Sequence, residues 1–137
     1  MENHMTDYFN NPMTDEDILK ISSLGLAHMG DAVYELLVRS MLCHMGKATS
    51  KGLHNAAITY VSAKAQAAAV KKILPLLTQD ELDAYKRGRN AKVHSVPHSA
   101  TYEEYHMATG LETLFGYLYL KGYMDRINEL FAIIMEG

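Results

Sequence analysis

Apolar residues recur at steps of three and four along almost all of this chain, and no stretch bounded by turn residues alternates apolar and polar with period two. A chain patterned in this way can bury its apolar surface by packing helix against helix, and has no strands from which to build a sheet. The three prolines, Pro12, Pro75 and Pro97, each stand where a helix could start or stop. The fold class is therefore all-α, a helical bundle.

The punctuation places the helices. Thr14 suits an N-cap, with Asp15, Glu16 and Asp17 behind it at the positive end of a short helix dipole. Leu26, Met29, Val33, Leu36 or Leu37, and Ser40 or Met41 predict a helix over 24–44, stopped by Gly46. A further stretch starts at Thr49, breaks near Ser62, resumes in AKAQAAAVKKI and ends near Ile73 or Leu74, before Pro75. Thr78 with Glu81, and Thr101 with Glu104, have the spacing of capping boxes. The first opens a short helix that ends before Gly88. The second opens a helix to about residue 120, with Met107, Leu111, Leu114 and Leu118 on its buried stripe. Gly122 ends it, and Asp125 caps a last helix carrying Ile127, Leu130, Phe131 and Ile134. Residues 87–98, RGRNAKVHSVPH, lack an apolar period and read as a loop. The organisation expected is one domain over 1–137, with 1–13 as a flexible N-terminal segment.

A hydrophobic share of 48% with 21% charged residues excludes a mostly disordered chain. No run approaches the roughly 20 apolar residues that cross a bilayer, so no membrane association is expected. The acidic, polar N-terminus is the opposite of a secretory leader, and the lone Cys43 has no intrachain partner; both point to the cytoplasm. The net charge of −3 conceals a segregation, because residues 39–92 hold ten of the 13 Lys and Arg against Asp80, Glu81 and Asp83. Such a middle third can face a polyanion, or can simply be the solvated surface of helices.

Several familiar catalytic devices find little support. Gly46-Lys47 has no upstream glycine at position 41 and no preceding strand, so it is not a phosphate loop. A G-x-S-x-G elbow is missing, and Cys43 sits within a helix with no nearby base in sequence. His94 and His98 are interrupted by Pro97, which breaks the helix that a zinc pair at that spacing needs. The informative residues are two acids inside apolar helices. Asp31 lies in LGLAHMGDAVYELLVRS and Glu112 in MATGLETLFGYLYL. An acid there is costly to bury without a partner. Small residues at Gly30, Ala27, Gly116 and Thr109 would let the two helices approach until both carboxylates meet one cation; Mg²⁺, which keeps waters and accepts phosphate oxygens, suits such a pair. The alternative is that each acid lies on the wet edge of its helix. Glu35, one turn after Asp31, could orient a metal-bound water or a neighbouring side chain, or could be an ordinary paired acid.

HMGDAVYELLVR resembles the first motif of the ribonuclease III family, and ATGLETLFGYLYL its second, in the same order and about 80 residues apart. LHNAAITYVSAKAQA, RGRNAKVHSVPH and an end without a double-stranded-RNA-binding module make the chain similar to the Mini-ribonuclease III (Mini-III) branch, over about residues 18–135. The resemblance implies an all-helical nuclease domain in which Asp31 and Glu112 are catalytic and hold Mg²⁺, with Mn²⁺ able to take its place. It further implies hydrolysis of double-stranded RNA to 5′-phosphate and 3′-hydroxyl ends. Two further acids of the larger family are replaced by Ala27 and Thr109, a reduced set that Mini-III proteins share. The implied partners are a duplex stalk of precursor 23S (large-subunit) ribosomal RNA, a second copy of the chain, and a large-subunit ribosomal protein as helper. The apolar stripe of Leu26, Met29, Val33 and Leu37 is compatible with a two-fold interface as well as with core packing. Arg87, Arg89, Asn90, Lys92 and His94, with lysines such as Lys64, form the RNA-binding candidates. Two competing readings remain at this point: a module on the same scaffold that binds structured RNA without cutting it, and a helical phosphohydrolase whose metal is held by His94 or His98.

Overall fold

Six hydroxyl side chains start six helices. Thr14, Ser22, Thr49, Ser62, Thr78 and Thr101 each accept a hydrogen bond from the backbone N–H three residues on, satisfying a donor that the first turn leaves free. The computed structural model describes residues 5–92 and 95–136. Its helices are α1 (Asp15–Leu19), α2 (Ser23–His44), α3 (Ser50–Val61), α4 (Ala63–Ile73), α5 (Gln79–Arg89), α6 (Tyr102–Lys121) and α7 (Met124–Glu136). A single 3-10 turn, Leu74–Leu76, carries the chain past Pro75. No strand occurs among the described residues, and no helix among them is long and apolar enough to cross a membrane.

Ser62 serves twice, closing α3 and capping α4 in an extended conformation. Both capping boxes form in full. Gly122 ends α6 in the left-handed conformation, at φ 80°, as a C-terminal glycine should. Two boundaries differ from expectation. The last helix takes in Asp125 as its second residue instead of being capped by it. The fifth runs through Gly88 to Arg89, so residues 87–89 are helix and not loop. Gly88 is small for packing: a Cβ there would lie 2.0 Å from the Thr113 hydroxyl oxygen of α6.

α6 is the central helix. Its buried residues, from His106 through Leu111, Leu114 and Phe115 to Leu118, face α2, α4, α5 and α7 in turn, so it is enclosed on most sides and not along one stripe. Tyr34 of α2 meets Phe115 edge-on at 5.3 Å between ring centroids and Phe131 of α7 at 5.7 Å. Leu26 and Val33 lie in this core, while Met29 and Leu37 are half-buried against it. The large apolar side chains that α2 leaves exposed are Leu24 and Leu36. Of the segment expected to be flexible, the part from Tyr8 onward follows the C-terminal end of α6. The Tyr119 hydroxyl donates to the Tyr8 carbonyl, and the Met13 amide donates to the Leu120 carbonyl.

One buried ion pair ties α5 to α7. Arg126 donates from Nε to Glu81 Oε2 at 2.8 Å and from Nη2 to Oε1 at 2.9 Å, and reaches the Leu76 carbonyl of the 3-10 turn. Burial pushes the Glu81 carboxyl upward, but Arg126 and the Thr78 cap together hold it below its ordinary value of 4.5. Arg126→Ala strands that carboxylate, and is expected to destabilise the fold by about 3 kcal/mol in urea unfolding at pH 7. The sign follows from the lowered value: the stabilisation is present in full above pH 4.5 and is lost as acid protonates Glu81 in the folded state. The parent and Arg126→Ala should therefore converge on acidification. A gap of the same size at every pH would assign the loss to packing instead.

Candidate active site

The crossing of α2 over α6 decides where the acids sit. A Cβ on Gly30 would stand 1.5 Å from the Glu112 carbonyl oxygen and 2.7 Å from the Gly116 amide nitrogen. A Cβ on Gly116 would stand 2.1 Å from the Leu26 carbonyl oxygen. The two backbones thus touch where only glycine fits on either helix. Asp31 follows Gly30 directly, and Glu112 is the residue against which Gly30 rests, so the contact brings the two carboxyl groups together. They face each other closely enough to interact, Asp31 on the exposed rim and Glu112 half-buried beneath it. Burial foremost, then the hydrogen bond and the negative charge of Asp31, push the Glu112 carboxyl up to about 8, with the nearby Gln66 side chain acting in the opposite sense.

Two acids forced together, one kept protonated by burial first and by its neighbour second, make a place that a cation would suit. The donor set fits Mg²⁺: carboxylate oxygens on rigid helices, open on the Asp31 side to water and phosphate. Among the described residues no group of three or more His, Cys, Asp and Glu is gathered for a metal, so the ion would rest on the pair and on ligands from outside the chain. Ala27 and Thr109 add nothing to it. Both are buried at the helix crossing, and the Thr109 hydroxyl donates to the Tyr105 carbonyl at 3.0 Å.

The other candidate residues do not form one cluster. Arg89, Asn90 and Lys92 line a cavity of about 580 Å³ with Tyr85, Tyr102 and His106. The Arg89 guanidinium sits 5.8 Å from the Tyr85 ring centroid and donates to the Asn90 side chain. Arg87 leaves α5 on another side. It donates to the Ile21 carbonyl at 2.7 Å, clasping the α1–α2 turn, beside Asp15, Asp80 and Asp83. Lys64 is exposed on α4, in a shallow cleft with Lys71, Glu103 and Glu104. Glu35 is ion-paired with Arg39 one turn further along α2. His94 lies outside the described residues.

One residue of the site escapes the sequence pattern. Gln66 of α4 is only 2% exposed and lies beside the Glu112 carboxyl, with its amide nitrogen unpartnered. In the Ala-rich AKAQAAAVKKI a glutamine reads as an ordinary helix surface residue, and only the packing of α4 on α6 distinguishes it.

Comparison with known proteins places the chain in a family. The Ribonuclease III domain family matches residues 24–123, a span that contains both acids. The chain is 46% identical over 112 residues to the Mini-ribonuclease 3 of Symbiobacterium thermophilum, covering 82% of this chain and 86% of that protein. It is 38% identical over 138 residues to the Mini-ribonuclease 3 of a Thermoanaerobacter species, covering 99% and 97%. The crystal structure of a protein from Fusobacterium nucleatum superposes with a TM-score of 0.80 at 33% identity, covering 88% of this chain and 98% of that one. An all-helical fold, a Ribonuclease III domain match over most of the chain and relatives matched along nearly their whole length lead to one assignment: the chain belongs to the ribonuclease III family, in its Mini-ribonuclease III branch.

Proposed function

We propose that the chain is a Mg²⁺-dependent endoribonuclease of double-stranded RNA that leaves 5′-phosphate and 3′-hydroxyl ends, with a duplex stalk of precursor large-subunit ribosomal RNA as its substrate. The observation that carries this reading is the meeting of Asp31 and Glu112 across the Gly30–Gly116 contact. A bound Mg²⁺, or Mn²⁺ in its place, would offset the charge of the scissile phosphate and furnish an attacking water at neutral pH. Asp31 contributes an exposed carboxylate, able to hold the ion at the edge where a phosphodiester can approach. Glu112 contributes a carboxyl group fixed by the central helix, which would hold the ion in its ionised form.

Grip on the duplex falls to Arg89, Asn90, Lys92 and Lys64, whose donors suit the phosphates and 2′-hydroxyls of an A-form groove. Arg87 is engaged with Ile21 and is left out of that set. The enzyme works in the cytoplasm as a homodimer, each subunit cutting one strand, with a large-subunit ribosomal protein assisting on the precursor.

The test is cleavage of an internally paired RNA by the parent, Asp31→Asn and Glu112→Gln, with Mg²⁺ or with EDTA. Cutting is expected from the parent with Mg²⁺ alone and is expected to fall at least 1,000-fold in each variant, about 4 kcal/mol in barrier, while RNA retention persists. Undiminished cutting by Asp31→Asn rejects the reading. Retention without cutting by the parent would identify a binding module instead.

A further inference from the structure

Among the described residues two buried side-chain nitrogens make no hydrogen bond, Gln66 Nε2 and His106 Nε2, and only the His106 ring has its other nitrogen satisfied, Nδ1 on the Arg89 carbonyl. Gln66 occupies the inner face of α4 among Ala67, Ala69, Val70 and Ile73, each no more than 4% exposed. An unpaired amide in such a place carries a desolvation cost that leucine or methionine would not incur. Its Nε2 makes no hydrogen bond. The acceptor beside it is the carboxyl group of Glu112. With Ala27 and Thr109 supplying no carboxylates, a cation at this crossing depends on how rigidly the two remaining acids are held. Carboxylates that ligate metals are in general hydrogen-bonded themselves.

We propose that Gln66 is a positioning residue for Glu112: its amide donates to one oxygen of the ionised carboxylate and leaves the other turned toward Asp31 and the ion. The inference deepens the nuclease reading and rests on it. Gln66 touches neither RNA nor the reacting atoms. It acts through Glu112 alone, so it governs how tightly the ion is held and not how the duplex is gripped.

The experiment compares the full chain with Gln66→Leu and Gln66→Met, two apolar replacements of similar volume. Mn²⁺ alone is titrated into each and the free ion read by electron paramagnetic resonance. The dissociation constant is expected to rise about tenfold or more in both variants. The Mg²⁺ concentration for half-maximal cleavage should rise in step, with KM for RNA unchanged at saturating Mg²⁺ and thermal stability equal to the parent or higher. If branching at Leu disturbs packing, the unbranched Met variant carries the comparison. Parental Mn²⁺ affinity in a folded variant overturns the proposal, as does lowered stability with Mn²⁺ affinity unmoved. If the parent binds Mn²⁺ and cuts while both variants match it, only the role of Gln66 falls. If the parent neither binds Mn²⁺ nor cuts duplex RNA, the nuclease reading falls and takes this inference with it.

Discussion

Gly30→Ala is expected to lower the stability of this chain by about 3 kcal/mol or more, and its melting temperature by on the order of 10 °C. Two effects of opposite sign compete. In an exposed helix interior the change would stabilise by about 1 kcal/mol, because alanine is the better helix former. Here the added methyl would stand 1.5 Å from the Glu112 carbonyl oxygen, and the neighbouring atoms are backbone that no rotamer change can move aside. The helices must part, and overpacking exceeds propensity. Gly25→Ala on the same helix is the control, because its Cβ meets only side-chain atoms, of Ile21 and Ser22, at 3.0 Å and no backbone. Parting α2 from α6 also separates Asp31 from Glu112, so any Gly30→Ala protein that folds should require more Mg²⁺ for cleavage. A melting temperature equal to or above the parent's would show that the crossing is looser than described, and would remove the argument that brings the two acids together.

The helices were legible because this chain marks their ends chemically. Thr14, Ser62, Thr78 and Thr101 read as caps and are caps, and Gly122 reads as a stop and adopts positive φ. The convergence of Asp31 and Glu112 was legible for a related reason: an acid among apolar residues needs a partner, and small neighbours indicate where helices touch. Gly88 misled because glycine has two uses. A helix stop needs conformational freedom, whereas close packing needs only the missing Cβ, and the sequence alone does not distinguish them. The same ambiguity grouped Arg87 with Arg89, although two residues of continuing helix, about half a turn, send them to different sides of α5. Gln66 was invisible because burial of a helix face depends on what packs over it. Leu26 and Val33 are ambiguous in sequence between core and interface for that reason as well; in the fold they are buried where α2 packs on α6.

Glu112→Gln is expected to do two opposite things: abolish cleavage and stabilise the metal-free protein, by an amount that grows with pH. The unfolded chain releases the Glu112 proton near 4.5, while the folded, metal-free chain keeps it until about 8. Between those values the folded state binds the extra proton, so stability falls as pH rises through the interval and levels off above it. Glutamine has the same shape and never ionises, so it escapes the penalty. Near pH 5 the melting temperatures of parent and variant in EDTA should nearly coincide. At pH 8.5 the variant should be ahead by about 2 kcal/mol or more. Because burial is the largest cause of the shift and Asp31 the next, Asp31→Asn should flatten the parent's pH slope without removing it. Mg²⁺ should raise the parent's melting temperature and leave that of Glu112→Gln nearly unmoved, since the ion stabilises only a fold that holds it. A difference between parent and variant that stays constant from pH 5 to 8.5 would mean that Glu112 is well solvated. It would then have no reason to sit beneath Asp31 except as an ordinary surface acid.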